Sequence, residues 1–105
     1  MPLQIVETDR GYRLDGELDL ATADDLLTAI RRHSGRNHAL DLDFSQVTFM
    51  DSTGLRAILE AVAERQDGDL VILDPTPQVR RVLDISLPDG APGLEIRGGE
   101  GGGAP

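Results

Sequence analysis

The chain has 105 residues, a length that fits one small domain with a single hydrophobic core. Its 19 acidic residues outnumber ten arginines, there is no lysine, and the net charge is −9. Such a charge opposes binding to nucleic acid or anionic lipid, and the absence of cysteine excludes disulfides and thiol chemistry. No apolar run could span a bilayer and no signal peptide opens the chain, so we expect a soluble cytoplasmic protein.

The first third of the chain predicts a hairpin followed by a helix. Residues 3–6 form a short, mainly apolar stretch, and from Tyr12 to Asp19 apolar and polar side chains alternate, as in two paired strands. Thr22 is a residue type that favours the N-cap, and Asp25 stands where a capping box has an acidic side chain. We therefore expect a helix that begins at Thr22 with a capping box.

The middle of the chain predicts a strand, a polar turn and an amphipathic helix. Residues 39–44 alternate as a strand does, and Ser45-Gln46 is expected to break the strand before a further stretch that ends at Met50. Asp51-Ser52-Thr53-Gly54 forms the turn, and apolar residues recur at helical spacing from Leu55 onward. The turn thus places two hydroxyls and a carboxylate at the positive end of a helix dipole.

The last third predicts a strand, a helix and a weak strand. Residues 70–73 form an unbroken apolar run, typical of a central strand covered on both faces. Thr76-Pro77 begins a third helix, and residues 94–96 form the last strand. The order β-β-α-β-α-β-α-β predicts a small single-domain α/β fold with a mixed sheet of about four to five strands and three helices. The glycine-rich residues 98–105 are expected to be a disordered tail, which leaves a domain of residues 1–97.

Several kinds of enzyme and nucleotide-binding site are disfavoured because the chain lacks a residue that each of them requires. A nucleophile elbow needs glycine where Met50 stands and a histidine after the serine, whereas His33 and His38 precede it and are expected to be surface residues. Without lysine there is no two-component phosphate receiver, no Walker loop and no Schiff-base enzyme. No glycine-rich dinucleotide motif follows a strand. We expect no catalytic residue, no metal site and no cofactor.

Three segments resemble the STAS domains of bacterial anti-sigma factor antagonists. They are Gly16-Glu17-Leu18-Asp19, residues 42–55, and the strand and helix of residues 70–85, in the order and at the spacing of that family. The resemblance covers roughly residues 3–97 and implies a STAS-type fold. The chain departs from the family at residues 86–92, where the usual Gly-Leu is missing, and the family's C-terminal helix is expected to be absent.

The resemblance also implies which residues form the functional site. Ser52 matches the serine that a partner anti-sigma factor with serine kinase activity phosphorylates, and Thr53 is an alternative acceptor. Asp51 and Asp19 match the acidic residues near that serine. The partner-binding residues implied in this way are Asp19, Asp51, Ser52, Thr53, Gly54, Leu55, Arg56 and Leu59.

The function implied by the resemblance is that of an anti-sigma factor antagonist. The unphosphorylated form would bind the anti-sigma factor and free a sigma factor, phosphorylation of Ser52 would block binding, and a protein serine phosphatase would reverse it. Neither nucleic acid nor direct membrane insertion would be involved. Two alternatives remain: a non-catalytic STAS subunit of a membrane transport assembly, and an enzyme that uses Ser52 as its nucleophile.

Overall fold

The computed structural model describes residues 2–33, 38–65 and 69–99. The elements follow the predicted order. The strands are β1 (Gln4–Glu7), β2 (Gly11–Leu18), β3 (Leu40–Met50), β4 (Leu70–Leu73) and β5 (Leu94–Arg97). The helices are α1 (Ala23–Arg31), α2 (Ser52–Glu64) and α3 (Pro77–Ser86).

The five strands form one mixed sheet in the order β1-β2-β3-β4-β5. The hairpin of β1 and β2 is antiparallel, and every later pair of neighbours is parallel. Each parallel pair is joined through one helix, and right-handed crossovers that advance in one direction place successive helices on the same face of the sheet. The predicted α/β class and mixed sheet are confirmed.

One hydrophobic core joins one face of the sheet to all three helices. Burying a large apolar side chain of this kind stabilises the fold by roughly 1.5–3 kcal/mol, so this core fixes the helices on the sheet. Its fully buried members include Leu14, Leu18, Leu26, Ile30, Leu42, Phe44, Ile58, Ile72 and Leu83.

The two faces of β4 are covered in different ways. Leu70 and Ile72 belong to the core beneath the helices, so the period of a strand directs Val71 to the opposite face. Val71 is nonetheless only 1% exposed, and it lies between Asp41 of β3 and Glu95 of β5. β4 is therefore covered on both faces as predicted, but neighbouring side chains of the sheet take the place of a second helical layer at Val71.

The capping box predicted at the start of α1 is wrong. Thr22 occupies the N-cap position, but its side chain makes no capping hydrogen bond. The hydroxyl donates instead to the Glu17 carbonyl oxygen (2.8 Å) and accepts a hydrogen bond from the Asp19 N–H (3.0 Å). Thr22 thus stabilises the turn after β2, which leaves Asp25 without the reciprocal partner that a capping box requires.

The predicted break in β3 is also wrong, because the strand continues through Ser45-Gln46 to Met50. Between Asp43 and Gln46, β3 has one residue more than the matching stretch of β2, and a second shift in register precedes Met50. These irregularities are β-bulges, which bend a strand and change which edge its backbone groups face without ending it.

The two histidines differ in exposure. His38 is exposed as expected, but His33 is only 7% exposed and packs edge-on against the Tyr12 ring, with 5.0 Å between the ring centroids. The surface position predicted for His33 is therefore wrong. This ring closes the end of α1 against β2.

The start of the predicted tail contacts the domain. Arg80 donates a hydrogen bond to the Gly98 carbonyl oxygen (3.2 Å), and the Gly99 N–H donates one to the Asp74 carboxylate (3.2 Å). Residues 100–105 lie outside the described residues. The disorder of the tail and the domain boundary at residue 97 therefore stay predictions.

Candidate functional site

The ends of two parallel strands bring the predicted site together. Leu18 at the end of β2 pairs with Met50 at the end of β3, and the Asp51 N–H donates a hydrogen bond to the Leu18 carbonyl oxygen (3.3 Å). Parallel strands present their carboxyl ends at the same edge of a sheet, so Asp19 and Asp51 follow neighbouring strands there. The two acidic residues predicted near Ser52 thus lie at the same edge.

Asp51 caps α2 with its carboxylate. One oxygen accepts hydrogen bonds from the backbone N–H groups of Thr53 (3.0 Å) and Gly54 (3.1 Å), and from the Thr53 hydroxyl (2.5 Å). The hydroxyl bond is the largest cause that lowers the pKa of Asp51; the two backbone bonds also lower it, while burial opposes them. Asp51 is therefore ionised at neutral pH and already binds amide groups at the positive end of α2.

Ser52 is the first residue of α2 and is exposed. Among the described residues its hydroxyl has no hydrogen-bond partner. Thr53 differs, because it is half-buried and its hydroxyl donates to Asp51. Of the two hydroxyls in the turn, that of Ser52 is the accessible one.

Gly54 allows α2 to approach the end of β2 closely. A Cβ atom at this position would lie 2.5 Å from the Leu18 carbonyl oxygen and 2.8 Å from the Leu18 Cγ. The first of these contacts is with backbone, which cannot move aside as the end of a flexible side chain can. The glycine of the turn therefore has a packing role.

Asp19 plays the same local role after β2 that Asp51 plays after β3. Its carboxylate accepts a hydrogen bond from the Ala21 N–H (3.0 Å), and the Thr22 hydroxyl oxygen lies 3.3 Å from it. Both carboxylates thus hold the turns that follow their strands, and both contribute negative charge to the edge where Ser52 lies.

The other predicted partner-binding residues divide into surface and core. Arg56 is exposed one turn into α2, and Leu59 is half-buried against the core. Leu55 is only 5% exposed and belongs to the core, so its side chain offers almost no surface to a partner. We assign Leu55 to packing and keep Arg56 as a candidate contact.

A groove between α1 and α2 adds a residue that the sequence analysis missed. Leu20 is 79% exposed, more than the other large apolar side chains at the surface of the described residues. A large apolar residue in a polar turn, where no core position requires it, is the signal that could have identified it. The groove has a volume of about 180 Å³ and is lined by Leu20, Ala23, Asp24, Leu27, Thr53, Arg56, Ala57 and Glu60.

The described part of the chain contains no cluster of three or more histidine or carboxylate side chains placed to hold a metal ion. Within the same residues, none of the helices combines the length and the apolar character that crossing a bilayer requires. The side chains at the ends of β2 and β3 that could meet a partner are hydroxyls, carboxylates, one arginine and one exposed leucine.

Comparison with known proteins identifies the family. A model of the STAS domain matches residues 2–87. The chain belongs to the STAS domain family. A relative, the anti-sigma F factor antagonist of Paenibacillus polymyxa, is 38% identical over an alignment of 96 residues, and the match covers 82% of this chain and 80% of the relative.

Solved structures share the fold of this STAS domain. A protein from Thermotoga maritima has a TM-score of 0.69 at 22% identity, and the match covers 90% of this chain and 84% of that protein's chain. The anti-sigma factor antagonist SpoIIAA in its unphosphorylated form has a TM-score of 0.58 at 23% identity, with 93% and 89% covered. An anti-sigma factor antagonist from Mycobacterium paratuberculosis has a TM-score of 0.68 at 23% identity, with 89% and 83% covered. At these identities the likeness establishes the fold.

Proposed function

We propose that this STAS domain is an anti-sigma factor antagonist of the cytoplasm. Its unphosphorylated form binds an anti-sigma factor and thereby frees a sigma factor for transcription. The relative from Paenibacillus polymyxa supports this, since it is an anti-sigma F factor antagonist. The observation that carries the proposal is the exposed Ser52 hydroxyl at the first position of α2, beside a cap whose own polar groups are engaged. In this account the chain is regulatory and has no catalytic activity.

Ser52 is the acceptor of the phosphoryl group in this account. The kinase is the anti-sigma factor itself, which must dock at the ends of β2 and β3 to reach the hydroxyl. Thr53 is less suited to the reaction, because its hydroxyl is bonded to Asp51 and would have to leave it first. A protein serine phosphatase restores the binding form.

Phosphorylation blocks binding through charge. A phosphate adds about −1.5 to −2 charges at neutral pH. The lowered pKa of Asp51 keeps that neighbour ionised, and its carboxylate already uses the N–H groups of Thr53 and Gly54 that could otherwise bind the phosphate. The added charge therefore stays at the surface of a protein whose net charge is −9. Burying an unpaired charge in a complex costs several kcal/mol, and ~1.4 kcal/mol is tenfold in affinity.

The switch does not require the domain to refold. Asp51, Thr53 and Gly54 make the hydrogen bonds that hold the turn, while the Ser52 hydroxyl makes none with the described residues. Modification of Ser52 therefore leaves the cap intact. The phosphorylated form differs from the unphosphorylated one in charge and bulk at the docking surface.

The proposal is tested by phosphorylation of the purified chain. Candidate anti-sigma factors with serine kinase activity are incubated with it and labelled ATP, and the modified residue is mapped by mass spectrometry. We expect label on Ser52 that is lost in Ser52→Ala and retained in Thr53→Val. Failure of every anti-sigma factor of the host to bind or label the chain would contradict the proposal. Co-purification of a transporter ATPase instead would favour the alternative of a transport subunit.

A further inference from the structure

β3 extends well beyond its neighbour β4. The pairing of the two strands covers Leu40–Asp43 of β3. Among the described residues, the rest of that strand, as far as Met50, therefore has a neighbouring strand on the β2 side alone. Backbone groups along the other edge would lack partners if nothing replaced β4. The start of α3 takes this place, and the Thr76 hydroxyl donates a hydrogen bond to the Val47 carbonyl oxygen (2.8 Å).

Gln78 of α3 bonds to both backbone groups of Met50. Its Nε2 donates to the Met50 carbonyl oxygen (3.1 Å), and its Oε1 accepts from the Met50 N–H (2.9 Å). A single orientation of the side-chain amide satisfies the donor and the acceptor together. The side chain thus makes the pair of bonds that one residue of an adjacent antiparallel strand would make.

These bonds fix the peptide group that leads into the turn. The peptide between Met50 and Asp51 is held at its carbonyl oxygen by Gln78 and at its N–H by the Leu18 carbonyl oxygen (3.3 Å). After the bulge, the N–H and carbonyl groups of Met50 face α3, while the N–H of Asp51 faces β2. The direction in which the chain leaves β3 is therefore set from both sides.

We infer that Gln78 is a positioning residue for the turn that presents Ser52. Through Met50 it fixes the backbone of Asp51, whose carboxylate then holds the first turn of α2. The part of the inference that concerns phosphoryl transfer rests on the proposed function. The positioning of the turn does not, and it can be measured without any kinase.

The test compares two Gln→Glu substitutions that change charge equally. Gln78→Glu keeps the acceptor for the Met50 N–H but places a carboxylate oxygen against the Met50 carbonyl. Gln46→Glu is the matched control, because Gln46 is exposed on β3, the strand that ends at Met50, and its side chain forms no hydrogen bond with the described residues. Amide hydrogen exchange at Thr53 and Gly54, the two N–H groups bound by Asp51, reports directly on the turn.

We expect exchange at these two amides to be about tenfold faster in Gln78→Glu than in Gln46→Glu, because local opening of the cap becomes easier. The rate of phosphoryl transfer to Ser52 should fall by about tenfold or more, since misplacement of a reacting group is costly. The KM for ATP should not change, because Gln78 does not touch the nucleotide in this account.

A second variant keeps the test decisive if Gln78→Glu fails to fold. Gln78→Met preserves the length of the side chain and removes both bonds, and it should show the same increase in exchange. Equal exchange in both Gln78 variants and Gln46→Glu overturns the inference. Faster exchange with an unchanged rate of phosphorylation overturns the role in phosphoryl transfer. If the wild-type chain is not phosphorylated at all, the proposed function fails, and exchange alone decides the role of Gln78.

Discussion

The carbonyl oxygen of Leu18 lies 2.5 Å from the position that a Cβ atom on Gly54 would occupy. This approach brings the first turn of α2 against the end of β2. It therefore determines how closely Ser52 and Asp19 can lie, and any side chain at position 54 would separate the two elements.

Replacing Gly54 by alanine should destabilise the domain even though alanine is the better helix former. The added methyl group meets backbone, so α2 must shift, and overpacking of this kind costs about 1–3 kcal/mol in the free energy of unfolding. Urea denaturation measures the loss. Ser52→Ala is the control, because it lies two residues away and is exposed; it should change the free energy by less than about 0.5 kcal/mol. Equal stability of the two variants would show that α2 tolerates the extra atom.

Asp51 should make the stability of the domain depend on pH in acid. The pKa of Asp51 is lower in the folded state than its ordinary value of 3.8, chiefly because the Thr53 hydroxyl donates to the carboxylate. A depressed folded-state pKa contributes stability that is fully present above the ordinary value and is lost as the pH falls through the folded value. At pH 7, Asp51→Ala should lower the free energy of unfolding by about 1 kcal/mol, the usual cost of losing an N-cap.

The difference in the free energy of unfolding between wild type and Asp51→Ala should become smaller as the pH falls from 4 toward 2. Urea denaturation at several pH values in this range measures the change. Asp51→Asn is the control, since asparagine caps about as well as aspartate but has no charge to lose. If the difference in the free energy of unfolding between wild type and Asp51→Ala stays constant with pH, protonated Asp51 stabilises the cap as much as ionised Asp51 does, which would contradict the prediction.

The sequence predicted the order of elements and the polar turn at the start of α2 because both depend on local patterns of residues, but it did not single out Asp51 as the N-cap. It did not predict the bonds of Thr22, whose hydroxyl turns back to Glu17 because the turn after β2 competes with the helix cap. The path of β3 through Ser45-Gln46 depends on a bulge opposite β2. The alternation of apolar and polar residues within one strand gives no information on such a bulge. The burial of His33 depends on Tyr12, a residue distant in the chain.

Leu20 should contribute to partner binding. Its side chain is 79% exposed and lines the groove that also contains Thr53 and Arg56, next to the proposed acceptor. The groove combines apolar and charged lining residues, and apolar surface rimmed by polar residues is typical of docking sites. Leu20→Ser should weaken binding of the anti-sigma factor by about 1–2 kcal/mol, which calorimetry can measure.

The control for this prediction is Ile85→Ser on α3. Ile85 is 73% exposed, so the substitution removes a similar apolar surface at a position that does not line the groove. We expect this variant to bind as the wild type does. Equal losses in both variants would argue that Leu20 has no special place in the interface.

The proposal that charge at Ser52 decides binding is tested most directly by isothermal titration calorimetry of Ser52→Asp and Ser52→Ala against the anti-sigma factor. Ser52→Asp places a permanent negative charge beside the ionised Asp51, and its affinity should fall by at least about a hundredfold, or ~2.7 kcal/mol. Ser52→Ala should bind as tightly as the unphosphorylated wild type and should remain bound when ATP is added. Binding of Ser52→Asp with the affinity of the wild type would contradict the switch.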